Sequence, residues 1–378
     1  MSLAVREHVQ LRDHVTLGVG GAARAWLEVT EVAEVADALG WAQAHGLPLI
    51  VIGRGSNVVV ADRGLEAAVL RIRATGMQVR DAGADEVLLH AEAGLEWNAL
   101  VTRSVELGLS GLECLAGIPG EVGAAPVQNI GAYGQEVSEH IEAVQVVERA
   151  TGSLLRLGQD HCGFGYRDSM FKGQAEDRYV IVAVELRLKR GRAPVLRYPE
   201  LIRAVEQSAP PTAAAPKQAS ARPSPPTLEA VRSAVLGLRR SKSMLLDPSD
   251  ENHRSVGSFF VNPTLGPAEL EAVRERIRAR LGATEAAPEH RAAADRVKLP
   301  AAWLIERAGL RKGFGEGKVG LSTRHCLAIV NRGGATASDI VAFAALVRAR
   351  VAECFGVKLC VEPKLLGFEP GELAGLVT

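Results

Sequence analysis

The sequence predicts a mixed fold, part α/β and part α+β, with more than one domain. An amphipathic helix followed at once by a buried strand opens the chain, and strand candidates outnumber helices between about 80 and 190. The chain has 378 residues, more than one hydrophobic core usually supports, so we expect two or three domains.

The α/β character comes from the first helix and the strand after it. Apolar side chains recur at helical spacing from Val32 to Leu39, after Thr30, and Gly46 provides a stop. The run LPLIVIG that follows is short, apolar and rich in β-branched residues, which is typical of a buried strand. This strand is expected to end at Gly53.

The region from about 80 to 190 is predicted to be an α+β domain. One strongly helical segment occurs in it, LEWNALVTRSVELG at 95–108. The strand candidates are EVLLHAEAG (86–94), IEAVQVVER (141–149), GSLLRLG (152–158) and YVIVAVELRLKR (179–190).

A proline- and alanine-rich stretch at 208–227 almost lacks large apolar side chains, so we expect an exposed, disordered loop there. A third unit is expected beyond it. Ser338 is the expected cap of its longest helix, which should stop near Gly356. Helices are predicted at 228–242, 268–282 and 338–356, and a strand with a turn at 325–334.

The composition is that of an ordinary globular protein. Lys+Arg and Asp+Glu both number 44, so no surplus charge attracts nucleic acid or an anionic membrane. The first residues lack the apolar run of a signal peptide, and no segment approaches the ~20 apolar residues of a membrane span. We expect a cytoplasmic protein. Its five scattered cysteines predict reduced thiols, with no disulfide framework and no metal site.

Two glycine-rich segments are candidates for ligand binding. In VIGRGSNVVVAD, at 51–62, the loop after a strand can place backbone N–H groups against a pyrophosphate, although such a loop can also be a simple tight turn. It lacks the third glycine of the dinucleotide fingerprint. The segment GLECLAGIPGEVGAAPVQNIGAYGQE, at 111–136, suits close approach to a large cofactor better than an irregular surface loop.

Each of three further polar side chains, taken alone, has an ordinary structural explanation. Arg167 lies in FGYRDSMFK, where a lone arginine most often pairs with a neighbour such as Asp168. Taken alone, Ser258 in SVGSFFVNP would be a turn residue, and Glu362 in CVEPK would be an ordinary carboxylate at a strand end.

Together these segments resemble the UDP-N-acetylenolpyruvoylglucosamine reductase family. The resemblance covers nearly the whole chain, and it extends to KLPAAWLIERAGLRKG and the closing LCVEPKLLG. It implies a flavoenzyme of peptidoglycan precursor synthesis, with an FAD-binding fold of the vanillyl-alcohol-oxidase (PCMH) type and a C-terminal α/β substrate-binding domain. The implied divisions are 1–70 with 361–378 (first FAD subdomain), 71–207 (second FAD subdomain), 208–227 (loop) and 228–360 (substrate-binding domain).

The resemblance implies that NADPH donates the hydride and that UDP-N-acetylglucosamine enolpyruvate is the substrate, with roles in cell-wall biogenesis, cell shape, division and the cell cycle. Arg167 would stabilise negative charge at the substrate carboxylate, because its planar fork meets a carboxylate with two hydrogen bonds. Ser258 would donate the proton, with Glu362 as a second acid or oxyanion partner. The implied substrate-binding residues are Tyr198, Lys242 and Asn262, and the tyrosine places the chain in the larger subtype of the family.

The implied FAD contacts are Gly53, Arg54, Gly55, Ser56, Asn57, Gly117, Ile118, Pro119, Gly120, Gly123, Gln128, Asn129, Gly131, Ala132 and Tyr133. We expect FAD to be non-covalent, because Ser56 and Asn57 follow Gly55 where an oxidase of this fold usually has a histidine for attachment. Another FAD-dependent oxidoreductase or oxidase of the same fold, acting on a sugar or hydroxy acid, is the alternative. No obligate protein partner is evident.

Overall fold

The computed structural model describes residues 3–173, 175–208, 225–292 and 294–377. Within these ranges the helices are α1 (Glu34–Ala44), α2 (Trp97–Glu106), α3 (Pro199–Ser208), α4 (Leu228–Ser241), α5 (Pro267–Leu281), α6 (Ala301–Arg307) and α7 (Ala337–Phe355). Most of the loop predicted at 208–227 lies outside the described residues, so its expected disorder stays a prediction.

The strands of the first half are β1 (Ala4–Gln10), β2 (Ala22–Val29), β3 (Leu49–Val51), β4 (Val58–Val60), β5 (Leu65–Ile72), β6 (Met77–Asp81), β7 (Glu86–Glu92), β8 (Leu109–Ser110), β9 (Gly131–Ala132), β10 (Gln135–Glu136), β11 (Ile141–Glu148), β12 (Leu154–Gly158) and β13 (Tyr179–Arg190). Those of the second half are β14 (Thr264–Leu265), β15 (His290–Arg291), β16 (Val297–Lys298), β17 (Val319–Leu321), β18 (Ile329–Asn331) and β19 (Lys364–Leu366).

The described chain divides into two compact units, each built from separate stretches of sequence. Unit 1 comprises the residues up to Val5, Leu27–Gly53 and Val69–Leu245. Unit 2 comprises Arg6–Trp26, Arg54–Ala68 and the residues from Leu246 onward. Helix α4, expected with the third unit, therefore belongs to unit 1.

Unit 1 is organised by an antiparallel sheet in the order β12-β11-β13-β7-β6, with β8 beside β13. Strand β13 is central, and its residues from Val180 to Leu186 are all buried, as expected of a strand covered on both faces. The predicted strands at 86–94, 141–149, 152–158 and 179–190 and the helix at 95–108 are confirmed. Helices α2, α3 and α4 pack together in this unit.

Unit 2 has its core around helix α7, which packs against α5 and α6. The predicted end of α7 is confirmed, because Gly356 caps it in the left-handed conformation. The predicted start is wrong: Thr336, not Ser338, is the N-cap, and it forms a capping box with Asp339. Ser338 instead donates from its hydroxyl to the carboxylate of Asp62, at 2.8 Å.

Candidate active site

The first glycine loop leaves strand β3 at Gly53, where there is little room for a side chain. A Cβ built on Gly53 would lie 3.0 Å from Oε2 of Glu121 in unit 1. That carboxylate forms an ion pair with Arg71, and the two side chains are only 8% and 11% exposed. The buried negative charge behind Gly53 is therefore neutralised within the unit.

Gly55, two residues further on, belongs to unit 2 and is more strongly constrained. Its φ is +65°, and an added Cβ would lie 2.6 Å from the backbone of His14 and of Val15. The Gly55 carbonyl accepts a hydrogen bond from the Thr16 amide at 3.1 Å. Only glycine suits this conformation and this close approach, so the loop presents bare backbone.

The second glycine segment is tied into unit 1 at Gly117. This residue has φ +69°, and an added Cβ would meet the side chains of Leu245 and Leu236 at 2.6 and 2.8 Å. Its amide donates to Oδ1 of Asn98 at 2.8 Å, and its carbonyl accepts from Nε of Arg239 at 3.0 Å. These contacts fix the turn of the loop.

The rest of this segment combines buried backbone with partly exposed side chains. Gly120 is buried with φ +125°, and a Cβ on Gly123 would lie 2.6 Å from that of Ala93. The partly exposed residues among the predicted cofactor contacts of this segment are Ile118, Pro119, Gly123, Gln128, Gly131, Ala132 and Tyr133. Glycine turns without room for a Cβ, and a carboxylate already neutralised, fit a large anionic cofactor such as FAD.

Arg167 is held by its backbone conformation and by carbonyl groups. Its φ is +54°, unusual for a residue with a side chain. The guanidinium donates to the carbonyl oxygens of Gly131 at 2.7 Å and Asn129 at 3.4 Å, and Nζ of Lys172 donates to the Arg167 carbonyl at 3.1 Å. The carboxylate of Asp168 accepts instead from the Ser169 amide at 2.9 Å.

Asn129 organises the backbone around this arginine. It is 1% exposed and has φ +45°. Its amide nitrogen donates to Glu136 and to the carbonyl of Gly165, each at 2.9 Å, while its oxygen accepts from the Ser138 amide at 3.1 Å. Asn129 was predicted to contact FAD. The structure gives it a positioning role as well, since it ties the loop before Gly131 to the loop that carries Arg167.

The tyrosine and the lysine predicted to bind substrate, Tyr198 and Lys242, both lie in unit 1. The ring of Tyr198 lies edge-on to Tyr133, with centroids 5.6 Å apart. Nζ of Lys242 forms an ion pair with Oε2 of Glu200 at 2.6 Å. Burial raises the pKa of Tyr133 to about 12 and also raises that of Tyr198, so both phenols are neutral at physiological pH.

Arg239 is a cation that the sequence did not single out. Its guanidinium donates to the carbonyl groups of Gly117 and Met244, the latter at 2.8 Å. Burial, together with the nearby charge of Arg167, lowers its pKa to about 10. It stays charged at neutral pH, and it links the end of α4 to the second glycine segment. Its nearest sequence signal is its place in RRSK, three residues before Lys242.

In unit 2, backbone pairing joins the segment that carries Ser258 to the segment that carries Glu362. Phe259 follows Ser258, and its carbonyl accepts a hydrogen bond from the Glu362 amide at 2.9 Å. The Val261 amide donates to the Cys360 carbonyl, also at 2.9 Å. Phe259 and Phe260 are essentially fully buried, so they anchor this segment.

Asn262 has a structural contact of its own. Its Oδ1 accepts a hydrogen bond from the Ala301 amide at 2.9 Å, at the start of α6. The side chain thus satisfies one of the amides that a helix start leaves without an intrahelical partner. If Asn262 binds substrate, its side chain does so while Oδ1 also accepts the hydrogen bond from the Ala301 amide.

The described ranges contain neither a membrane-spanning helix nor a cluster of metal ligands. No helix there is both long and apolar enough to cross a membrane. Nor do three or more His, Cys, Asp or Glu side chains in those ranges lie close enough together to hold a metal ion.

Comparison with known families covers most of the chain. Residues 23–158 match the FAD binding domain, and residues 247–366 match the C-terminal domain of UDP-N-acetylenolpyruvoylglucosamine reductase. The reductase of Thermobifida fusca is 43% identical over 97% of this chain and 99% of its own length. That of Nocardia farcinica is 45% identical over 96% of this chain and 90% of its own.

A solved structure supports the same grouping. The crystal structure of the Thermus caldophilus reductase superposes with a TM-score of 0.62 at 26% identity, covering 97% of this chain and 100% of that one. Fold and glycine segments define an FAD-dependent oxidoreductase. The chain belongs to the UDP-N-acetylenolpyruvoylglucosamine reductase family, which uses FAD and NADPH in peptidoglycan precursor synthesis. The predicted family, fold class, cofactors and function are confirmed.

Proposed function

We propose that this chain reduces UDP-N-acetylglucosamine enolpyruvate to UDP-N-acetylmuramate with Arg167, Ser258 and Glu362 as its catalytic residues. The observation that supports Ser258 and Glu362 is that the segments carrying them are paired: the carbonyl of Phe259, the residue after Ser258, accepts from the Glu362 amide at 2.9 Å.

Bound FAD, reduced by NADPH, would supply the hydride to the terminal carbon of the enolpyruvyl group. Arg167 binds the substrate carboxylate and stabilises the negative charge that spreads into it. Its hydrogen bonds to Gly131 and Asn129 orient the guanidinium beforehand, so little reorganisation is needed during reaction.

Ser258 donates the proton to the carbon next to the carboxylate. A carbanion is basic enough to take a proton from a weak acid that is correctly placed. Glu362 serves as a second acid or as a partner of the developing oxyanion. Tyr198, Lys242 and Asn262 bind the sugar-diphosphate part of the substrate.

FAD binds without a covalent bond at the two glycine segments. Their bare backbone at Gly53, Gly55 and Gly117 supports this assignment. The proposed contacts are Gly53, Arg54, Gly55, Ser56, Asn57, Gly117, Ile118, Pro119, Gly120, Gly123, Gln128, Asn129, Gly131, Ala132 and Tyr133. The proposed FAD subdomains are 1–70 with 361–378, and 71–207, and the proposed substrate domain is 228–360, with the loop 208–227 before it.

In the cell we place the enzyme in the cytoplasm, where it serves cell shape and division through the cell wall. The test is product analysis. Purified, FAD-loaded protein should convert UDP-N-acetylglucosamine enolpyruvate to UDP-N-acetylmuramate with one NADPH oxidised per product, measured by mass spectrometry and absorbance. NADPH oxidation without that product would contradict the proposal, and the Arg167→Ala variant is the control for background turnover.

A further inference from the structure

Lys242 already has a charged partner in unit 1. Its ammonium lies 2.6 Å from Oε2 of Glu200, and the two side chains are 31% and 34% exposed. Glu200 is in the first turn of α3, and Lys242 directly follows α4. The two helices pack together, so the start of one lies near the end of the other.

The same carboxylate lies among the groups proposed to receive substrate. Tyr198 is two residues before Glu200, and its ring contacts that of Tyr133 edge-on. Burial is the main cause of the raised pKa of Tyr133 and of Tyr198, and the negative charge of Glu200 also raises both. Glu200 thus places a negative charge where the diphosphate of the substrate would have to approach.

We propose that Glu200 sets the affinity for the nucleotide by competing with the substrate diphosphate for Lys242. In the free site the carboxylate holds the ammonium. A diphosphate and a carboxylate repel each other at one ammonium, so substrate binding has to break the ion pair. This inference rests on the proposed role of Lys242 in binding substrate.

The competition has a use in turnover. Substrate and product carry the same diphosphate, so a site that holds it too tightly would release product slowly. A resident carboxylate that takes the lysine back lowers the affinity for both. It also neutralises Lys242 between turnovers.

The test uses FAD-loaded protein and calorimetric titration with UDP, which carries the uridine and the diphosphate without the sugar and the enolpyruvyl group. Glu200→Gln keeps the size of the side chain and removes its charge. The Kd for UDP should fall about 5-fold, the equivalent of an ion pair of about 1 kcal/mol. Lys242→Ala should raise the Kd. Adding Glu200→Gln to it then removes only the direct repulsion of the diphosphate, so the gain should be smaller than the gain in the parental protein.

The matched control is Glu229→Gln at the start of α4, whose carboxylate pairs with Arg232 at 3.1 Å. It should leave the Kd for UDP unchanged. A weaker or equal affinity in Glu200→Gln would overturn the inference, because Glu200 would then position Lys242 or play no part. If Lys242→Ala binds UDP normally, the proposed substrate role of Lys242 fails and this inference fails with it. If Lys242→Ala binds UDP weakly but Glu200→Gln does not bind it more tightly, the inference about Glu200 is overturned while the proposed role of Lys242 stands.

Discussion

Arg71 neutralises Glu121 directly behind Gly53. The two side chains form an almost fully buried ion pair, and Oε2 of Glu121 lies 3.0 Å from the position that a Cβ on Gly53 would occupy. The carboxylate of Glu121 therefore lies next to the loop that is proposed to hold a pyrophosphate. The guanidinium makes this tolerable, because an unpaired buried carboxylate would disfavour both folding and an anionic cofactor.

Breaking the Arg71–Glu121 ion pair should destabilise the folded protein. Arg71→Met leaves the Glu121 carboxylate buried without its cation, and we expect a loss of about 3 kcal/mol or more in the free energy of unfolding, with weaker FAD binding. Urea unfolding and FAD titration measure the two effects. The double variant Arg71→Met/Glu121→Leu should regain most of the stability. If the single variant unfolds at the parental urea concentration, the pair is not the neutralising element that we describe.

Three glycine-to-alanine variants should form a graded series. Gly55→Ala combines a positive φ with a 2.6 Å backbone clash, so it should abolish FAD retention or folding. Gly53→Ala requires only that the Glu121 side chain shift, so a moderate loss of FAD affinity is expected. Gly40, inside α1, has nothing within 4 Å of an added Cβ, and Gly40→Ala should be neutral or stabilising by up to about 1 kcal/mol. Equal losses in all three would argue against the loop geometry.

Ser258→Ala should separate the two half-reactions. Loss of a positioned proton donor is expected to slow reoxidation of the flavin by the enolpyruvyl substrate by ~10²-fold or more, because this is the usual contribution of such a donor. Reduction of the flavin by NADPH should keep its normal rate. Stopped-flow absorbance at the flavin band measures each step, and equal slowing of both steps would refute the role given to Ser258.

For Arg167 the conservative variant is the informative one. Arg167→Ala should slow reoxidation and also raise the Kd for substrate, because the carboxylate is charged before the reaction begins. Arg167→Lys should recover little of either, since one ammonium cannot replace two fixed donors. Substrate titration with single-turnover rates gives both quantities. Near-complete rescue by lysine would mean that charge alone matters.

The stability of the protein should fall as the pH drops below about 6.5, in part through His140. Burial lowers the pKa of this imidazole in the folded state, so the unfolded chain binds its proton more readily. Stability from the neutral ring is therefore present above the unfolded pKa of about 6.5 and is lost below it. His140→Gln should reduce the difference between urea midpoints at pH 7.5 and pH 5.5. An unchanged difference would exclude His140 as a contributor.

The elements that sequence reasoning placed well are those with a strong local pattern. Strand β13 was predicted over the residues it occupies, because a long run rich in β-branched residues strongly favours a strand. The start of α7 was misplaced although a local signal existed, because Thr336 and Asp339 have the spacing of a capping box.

The site was only partly accessible from the sequence. Motif residues such as Arg167 and Ser258 could be named by resemblance, but their partners come from elsewhere in the chain. Nothing near Glu121 points to Arg71, and nothing near Lys242 points to Glu200. Such pairs depend on which segments the fold brings together, and no local periodicity carries that information.

The pairing of β19 with β4 determines when unit 2 can be completed during synthesis. Lys364–Leu366 align in parallel with Val58–Val60, so about 300 residues are synthesised between the two strands. Such distant pairing closes slowly, because a long loop must be restrained first. We therefore expect the edge of Val58–Val60 that pairs with β19 to stay uncovered until residues 364–366 have been synthesised. A ribosome stalled before residue 364 would leave that edge open to chaperones.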